Sequence, residues 1–114
     1  MTPRIYVNPS CSKCRTALSL LEERGVQADT ILYLDEPPTV AGLRALMQLL
    51  AIDDPRLMMR TAEPVYAELE LDQVAGDDLL EAITRHPILL ERPIFVVGDR
   101  AVVARPPERL LELL

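Results

Sequence analysis

The sequence lacks any apolar run long enough to cross a membrane. Its N-terminus lacks the basic-then-apolar layout of a secretory leader. Positive charge is also short: the net charge is −6, whereas nucleic acids and anionic membranes need a basic surface to bind to. A cytoplasmic location is therefore expected, with no nucleic-acid partner and no membrane partner. Soft metal ligands are few. One histidine, His86, and two cysteines do not make a closed tetrahedral zinc site, so no metal is expected. Lysine is nearly absent, with Lys13 standing against eleven arginines among the twelve basic residues. Genomic base composition accounts for that bias, or else bidentate recognition of an oxyanion, which arginine does better than lysine. Internal repeats, low-complexity tracts and linkers are missing too. One domain across residues 1–114 is expected, monomeric and without a bound cofactor.

What is present is enough for a core: 49% of residues are hydrophobic, and a chain of this length buries roughly two-thirds of its unfolded surface. Arg4–Val7 reads as a strand that ends at the Asn8-Pro9 turn. From Ser12 to Arg24, Cys14, Ala17, Leu18 and Leu21 fall at helical spacing, and Gly25 stops the run. A second strand is predicted over Thr30–Leu34. Thr39 caps a helix reaching about Leu50, and Asp54-Pro55 opens a shorter one reaching Met59 or Arg60. Thr61 to Gly76 reads as irregular, with one helical turn near Tyr66, before a helix over Asp77–Arg85. Ile94–Val97 and Ala101–Ala104 around Gly98-Asp99 form a hairpin. Pro106-Pro107 opens a last helix over Glu108–Leu114. The order is β-α-β, a helical block, then β-β-α. The two flanks resemble the halves of a thioredoxin-like α/β fold, a mixed four-stranded sheet with a helical insertion between the halves.

Cys11-Ser12-Lys13-Cys14 sits where the first strand passes into the first helix. A thiol there faces unpaired backbone N–H groups and the positive end of the helix dipole, which favour thiolate. Asn8, Lys13 and Arg15 are its expected surroundings, the last two adding positive charge. Cys14 lies one helical turn on, able to attack a sulfur adduct on Cys11. It also continues the apolar stripe, so a plain core role stays open for it. Three arginines stand at element ends: Arg60, Arg92 before Pro93, and Arg105 before Pro106. A tetrahedral oxyanion held at Cys11 needs several converging donors. Solvent-exposed loop positions are the alternative for all three. For His86, a helix-terminal place favourable to the dipole is the simpler reading beside catalysis.

Tyr6-Val7-Asn8-Pro9-Ser10-Cys11-Ser12-Lys13-Cys14-Arg15 resembles the active-site loop of the glutaredoxin-coupled arsenate reductases. Tyr33 to Thr39, Leu57 to Arg60, His86 to Ile94 and Arg105 to Glu108 resemble that family's further landmarks, in order and over essentially the whole chain. The resemblance implies a thioredoxin-like fold with a helical insertion and a cis peptide before Pro93. It implies that Cys11 attacks arsenate, that Arg60, Arg92 and Arg105 hold the oxyanion, and that glutathione and glutaredoxin complete the turnover. Two positions depart from the pattern. Val7 stands where many members have a histidine that helps hold the thiolate. Cys14 stands where they often have serine, which permits resolution within the chain and reduction by thioredoxin.

A C-x-x-C pair is also the pattern of the related Spx-type regulators, redox switches that bind RNA polymerase. Arg105-Pro106 favours the reductase, because a switch has no need of a three-arginine pocket. The reductase also needs no tail beyond the last helix. A thiol–disulfide oxidoreductase acting on another substrate remains the further alternative, since tetrahedral oxyanions look alike to three guanidinium groups.

Overall fold

β1 (Arg4–Val7) alternates its side chains, so that Ile5 and Val7 face one side of the sheet. In this computed structural model, which describes residues 2–114, the chain then turns into α1 (Ser12–Glu23) and returns along β2 (Asp29–Leu32). β1 and β2 are parallel, with Tyr6 opposite Ile31. β3 (Ile94–Val97) lies antiparallel on the other side of β1, Phe95 opposite Ile5. β4 (Arg100–Val103) closes the hairpin, Val102 opposite Phe95. The sheet order is β2-β1-β3-β4, the mixed four-stranded sheet expected from the sequence.

Cys14, Ala17 and Leu21 recur every three or four residues, so one stripe of α1 faces Ile5, Val7, Phe95 and Val102. Leu110, from a 3₁₀ helix over Pro107–Leu113, completes that core. α1 ends in a Schellman closure. Gly25 takes φ +69°, its N–H donates to the Glu22 carbonyl, and the Val26 N–H donates to that of Leu21.

The chain divides into two compact units. The first comprises the residues up to Glu36 together with Arg92–Leu114, and the second is Pro37–Glu91. In the second, α2 (Val40–Leu50) starts at Thr39, whose Oγ1 accepts from the Gly42 N–H at 3.0 Å. A 3₁₀ turn over Pro55–Met58 follows, then α3 (Pro64–Glu68), a 3₁₀ turn over Leu71–Gln73 and α4 (Asp77–Arg85). Arg44 ties α2 to α4 through a two-pronged contact with Asp77, at 2.6 and 3.3 Å. Arg56 donates to the Tyr66 hydroxyl and to the carbonyls of Leu71 and Val74, and Tyr66 donates on to Asp72. One guanidinium thus organises the stretch that reads as irregular in sequence.

Several elements differ from expectation in bounds or type. The second strand ends at Leu32 rather than Leu34, because Leu32's carbonyl accepts from the N–H groups of Asp35 and Glu36 and turns the chain. β4 begins at Arg100, one residue before its predicted start. The last helix is 3₁₀, not α. Among the described residues, no helix is long and apolar enough to cross a membrane.

Candidate active site

Asn8 assembles the loop that carries the cysteines. Its carbonyl accepts from the Cys11 N–H at 2.9 Å, and its side-chain oxygen accepts from the Ser10 N–H at 3.0 Å. Its own N–H donates to the Cys14 sulfur at 3.4 Å. Cys11 is thereby held at the N-cap of α1, in extended conformation with φ −89° and ψ 123°. The first turn of the helix contains no acidic residue, so the dipole meets no opposing charge.

Partial burial pushes the Cys11 thiol upward, but the groups facing it push harder the other way. They are the Cys14 backbone N–H, the Arg92 guanidinium, the Cys14 thiol and the Lys13 backbone N–H. The balance brings Cys11 from an ordinary 9.0 down to about 7. The two backbone groups face the sulfur at the helix terminus and favour its charge. Cys14 goes the opposite way. Burial, with a smaller contribution from the Cys11 charge, pushes it up to about 11. It is fully buried within the core of the first unit. At neutral pH the pair is therefore a thiolate beside a thiol, the thiol donating to the thiolate.

Lys13 helps through its backbone rather than its exposed side chain. Arg15 reaches back along the loop, donating to the Pro9 carbonyl at 3.4 Å.

Arg92 enters from the other segment of the first unit. The bond between it and Pro93 is cis, as the resemblance implies, and so is Arg105–Pro106. Its guanidinium meets Cys11, while its buried Nε and NH1 have no hydrogen-bond partner among the described residues. Arg105 donates from NH1 to the Arg92 carbonyl at 2.8 Å, so the two arginines are tied together. Cys11, Cys14, Asn8, Arg92, Pro93 and Arg105 all belong to the first unit. Arg60 belongs to the second, where it is paired with Glu63 at 2.9 Å and Glu91 at 3.6 Å. His86 terminates α4, its N–H donating to the Ala82 carbonyl at 2.8 Å, which is the simpler of its two readings. Among the described residues, no group of three or more His, Cys, Asp or Glu side chains could hold a metal ion.

Residues 6–113 match the model of the ArsC family. The chain belongs to the ArsC family. It is 45% identical over 116 residues to an arsenate reductase of Haemophilus influenzae, covering 100% of both chains. It is 46% identical over 113 residues to an arsenate reductase of Neisseria meningitidis, covering 97% of each. Among solved structures it is similar to an arsenate reductase from Vibrio cholerae, with a TM-score of 0.96 and 45% identity, covering 100% of this chain and 98% of that one. The thioredoxin-like fold of this ArsC member is the one expected from its sequence. The two carboxylates on Arg60 are not among the sequence expectations. The i, i+3 spacing of Arg60 and Glu63 was the one local signal for them.

Proposed function

We propose that the chain reduces arsenate, or a closely similar oxyanion, with Cys11 as the nucleophile. The observation that carries this is the contact between an acidified Cys11 and Arg92, whose buried Nε and NH1 are still available as donors. Relatives named arsenate reductase, matched over 100% and 97% of their length, support the reaction class.

The Cys11 thiolate attacks arsenic(V), and a sulfur–arsenic bond forms as an arsenate oxygen leaves as water. Arg92, Arg105 and Arg60 take up the charge of the oxyanion, each by directed N–H groups. A second thiolate, from glutathione or from Cys14, then attacks the Cys11 sulfur. The sulfur–arsenic bond breaks with its electron pair remaining on arsenic, which leaves as arsenite. The two sulfurs, oxidised together, form a disulfide that glutaredoxin or thioredoxin reduces. Cys14 holds its proton tightly while Cys11 is charged. Forming the arsenic adduct removes that charge, and with it one of the causes that raise Cys14.

The experiment is arsenate turnover by purified protein with glutathione and glutaredoxin, and with thioredoxin in parallel. Arsenite is expected with at least one donor, and Cys11→Ser is expected to be inactive. No product with either donor, or an active Cys11→Ser variant, refutes the reading. Mass spectrometry of protein treated with arsenate alone then separates the two routes. A Cys11–Cys14 disulfide removes about two mass units, and its absence assigns the second thiol to glutathione.

A further inference from the structure

Cys11 is partly exposed at the N-cap of α1, and both cysteines are free thiols. Cys14 lies fully buried one helical turn on, with the Asn8 N–H donating to its sulfur at 3.4 Å. The Arg92 guanidinium meets the Cys11 sulfur, and two of its nitrogens, Nε and NH1, have no hydrogen-bond partner among the described residues. The Arg92 carbonyl accepts from Arg105 at 2.8 Å, which steadies that residue beside the thiol. An acidified, accessible thiolate with a second thiol close by is the arrangement that hydroperoxides oxidise most readily. A hydroperoxide needs one thing more. Its leaving group is hydroxide or alkoxide, a localised anion that calls for hydrogen-bond donors as it forms.

We propose that the site has a second activity, the reduction of hydrogen peroxide and small organic hydroperoxides, with Cys11 as nucleophile, Arg92 as donor to the leaving oxygen and Cys14 as resolving thiol. It is independent of arsenate reduction, because a peroxide is neutral and needs no oxyanion pocket. The Cys11 thiolate attacks the nearer peroxide oxygen. A sulfur–oxygen bond forms and the oxygen–oxygen bond breaks. The farther oxygen leaves as hydroxide or alkoxide, which takes up a proton from solution. The sulfur has lost two electrons and stands as a sulfenic acid. Guanidinium N–H groups close enough to meet the sulfur are within reach of the departing oxygen and face its charge as it develops. Cys14, as thiolate, then attacks the Cys11 sulfur. The sulfur–oxygen bond breaks, the disulfide forms, and the hydroxide leaves as water with the proton that Cys14 gave up. By then the Cys11 charge that helps to keep Cys14 protonated is gone, and the Asn8 N–H favours the Cys14 thiolate. A small dithiol, or the glutaredoxin or thioredoxin invoked above, returns the pair to its reduced form.

The test sets two electrophiles against the same sulfur, with arsenate absent. Iodoacetamide releases iodide, which asks little of hydrogen-bond donors, so its rate reports the thiolate. Hydrogen peroxide releases hydroxide. The ratio of the two rates cancels the thiolate fraction and isolates the help given to the leaving oxygen. Both rates are measured at neutral pH for the wild type, Cys14→Ser, Arg92→Lys and N-acetylcysteine. The wild-type ratio of peroxide to iodoacetamide rate should exceed that of N-acetylcysteine about ten- to hundredfold, and Arg92→Lys should lose most of that gain. An arginine with a merely structural role moves both rates together and leaves the ratio alone. Mass spectrometry after peroxide should show a loss of about two mass units in the wild type. Cys14→Ser should instead gain about 16 mass units, as a sulfenic acid that dimedone traps. A wild-type ratio equal to that of N-acetylcysteine, or one that Arg92→Lys leaves in place, overturns the proposal at Arg92. Wild type that passes to sulfinic acid without forming the disulfide overturns it at Cys14.

Discussion

The two sulfurs of this chain, three positions apart, are driven to opposite protonation states by what surrounds them. Cys11 falls to about 7 and Cys14 rises to about 11. Because the Cys11 value is depressed, its thiolate is present above that point and is lost as pH falls through it. Alkylation by iodoacetamide should therefore follow a single titration centred near pH 7, about half-maximal there and falling nearly tenfold per unit below. Cys14→Ala removes a thiol donor and should move the midpoint upward, as should Arg92→Ala. A wild-type midpoint at the ordinary thiol value contradicts the geometry. The helix-terminal part of this effect was legible in Cys11-Ser12-Lys13-Cys14, since it depends on neighbours in sequence. The part played by Arg92 was not, because only the pairing of β1 with β3 brings that residue alongside.

At the scale of elements, the helix ends of the second unit carry measurable free energy. Thr39 caps α2 through Oγ1, so Thr39→Ala should cost about 1 kcal/mol. At the other end, Ala51 adopts φ 58°, ψ 43°, a left-handed conformation that costs a residue with a Cβ about 1–2 kcal/mol. Ala51→Gly relieves that strain at a smaller entropic cost and should stabilise the protein by up to about 1 kcal/mol. Urea unfolding should show both as shifts in midpoint at unchanged slope. Thr39 was readable as a cap, because the capping bond spans three residues. The early end of β2 was not, because Tyr33 and Leu34 have the composition of a strand, and only the turn bonds to the Leu32 carbonyl show otherwise. The segment from Thr61 to Gly76 has no periodicity to read. Its order comes from a single arginine, Arg56, that reaches across it. Arg56→Ala should speed amide hydrogen exchange over that segment before it affects α2 or α4.

For the molecule as a whole, the three arginines of the proposed oxyanion site come from widely separated parts of the chain. Arg60→Ala, Arg92→Ala and Arg105→Ala should each lower arsenate turnover about 10²–10³-fold, the usual cost of removing one donor to a developing oxyanion. Arg92→Lys should recover only part of the loss, because a lysine cannot form the bidentate fork. Three alanine variants with normal turnover would falsify the site as drawn. Arg105→Ala carries a second effect, since it also removes the bond to the Arg92 carbonyl. It should raise the Cys11 midpoint, whereas Arg60→Ala should leave that midpoint where it is.

β1 is flanked by β2, which follows it closely, and by β3, which is made only after the whole second unit. During synthesis the cysteine loop and α1 leave the ribosome long before Arg92 and Arg105 exist. Through that interval Cys11 has its helix terminus but not its guanidinium, and its sulfur keeps more of its proton. The nascent chain should therefore be alkylated at Cys11 more slowly than the finished protein at neutral pH. Its reactivity is switched on only once Arg92 and Arg105 have joined the fold, because these later residues complete the thiolate's surroundings.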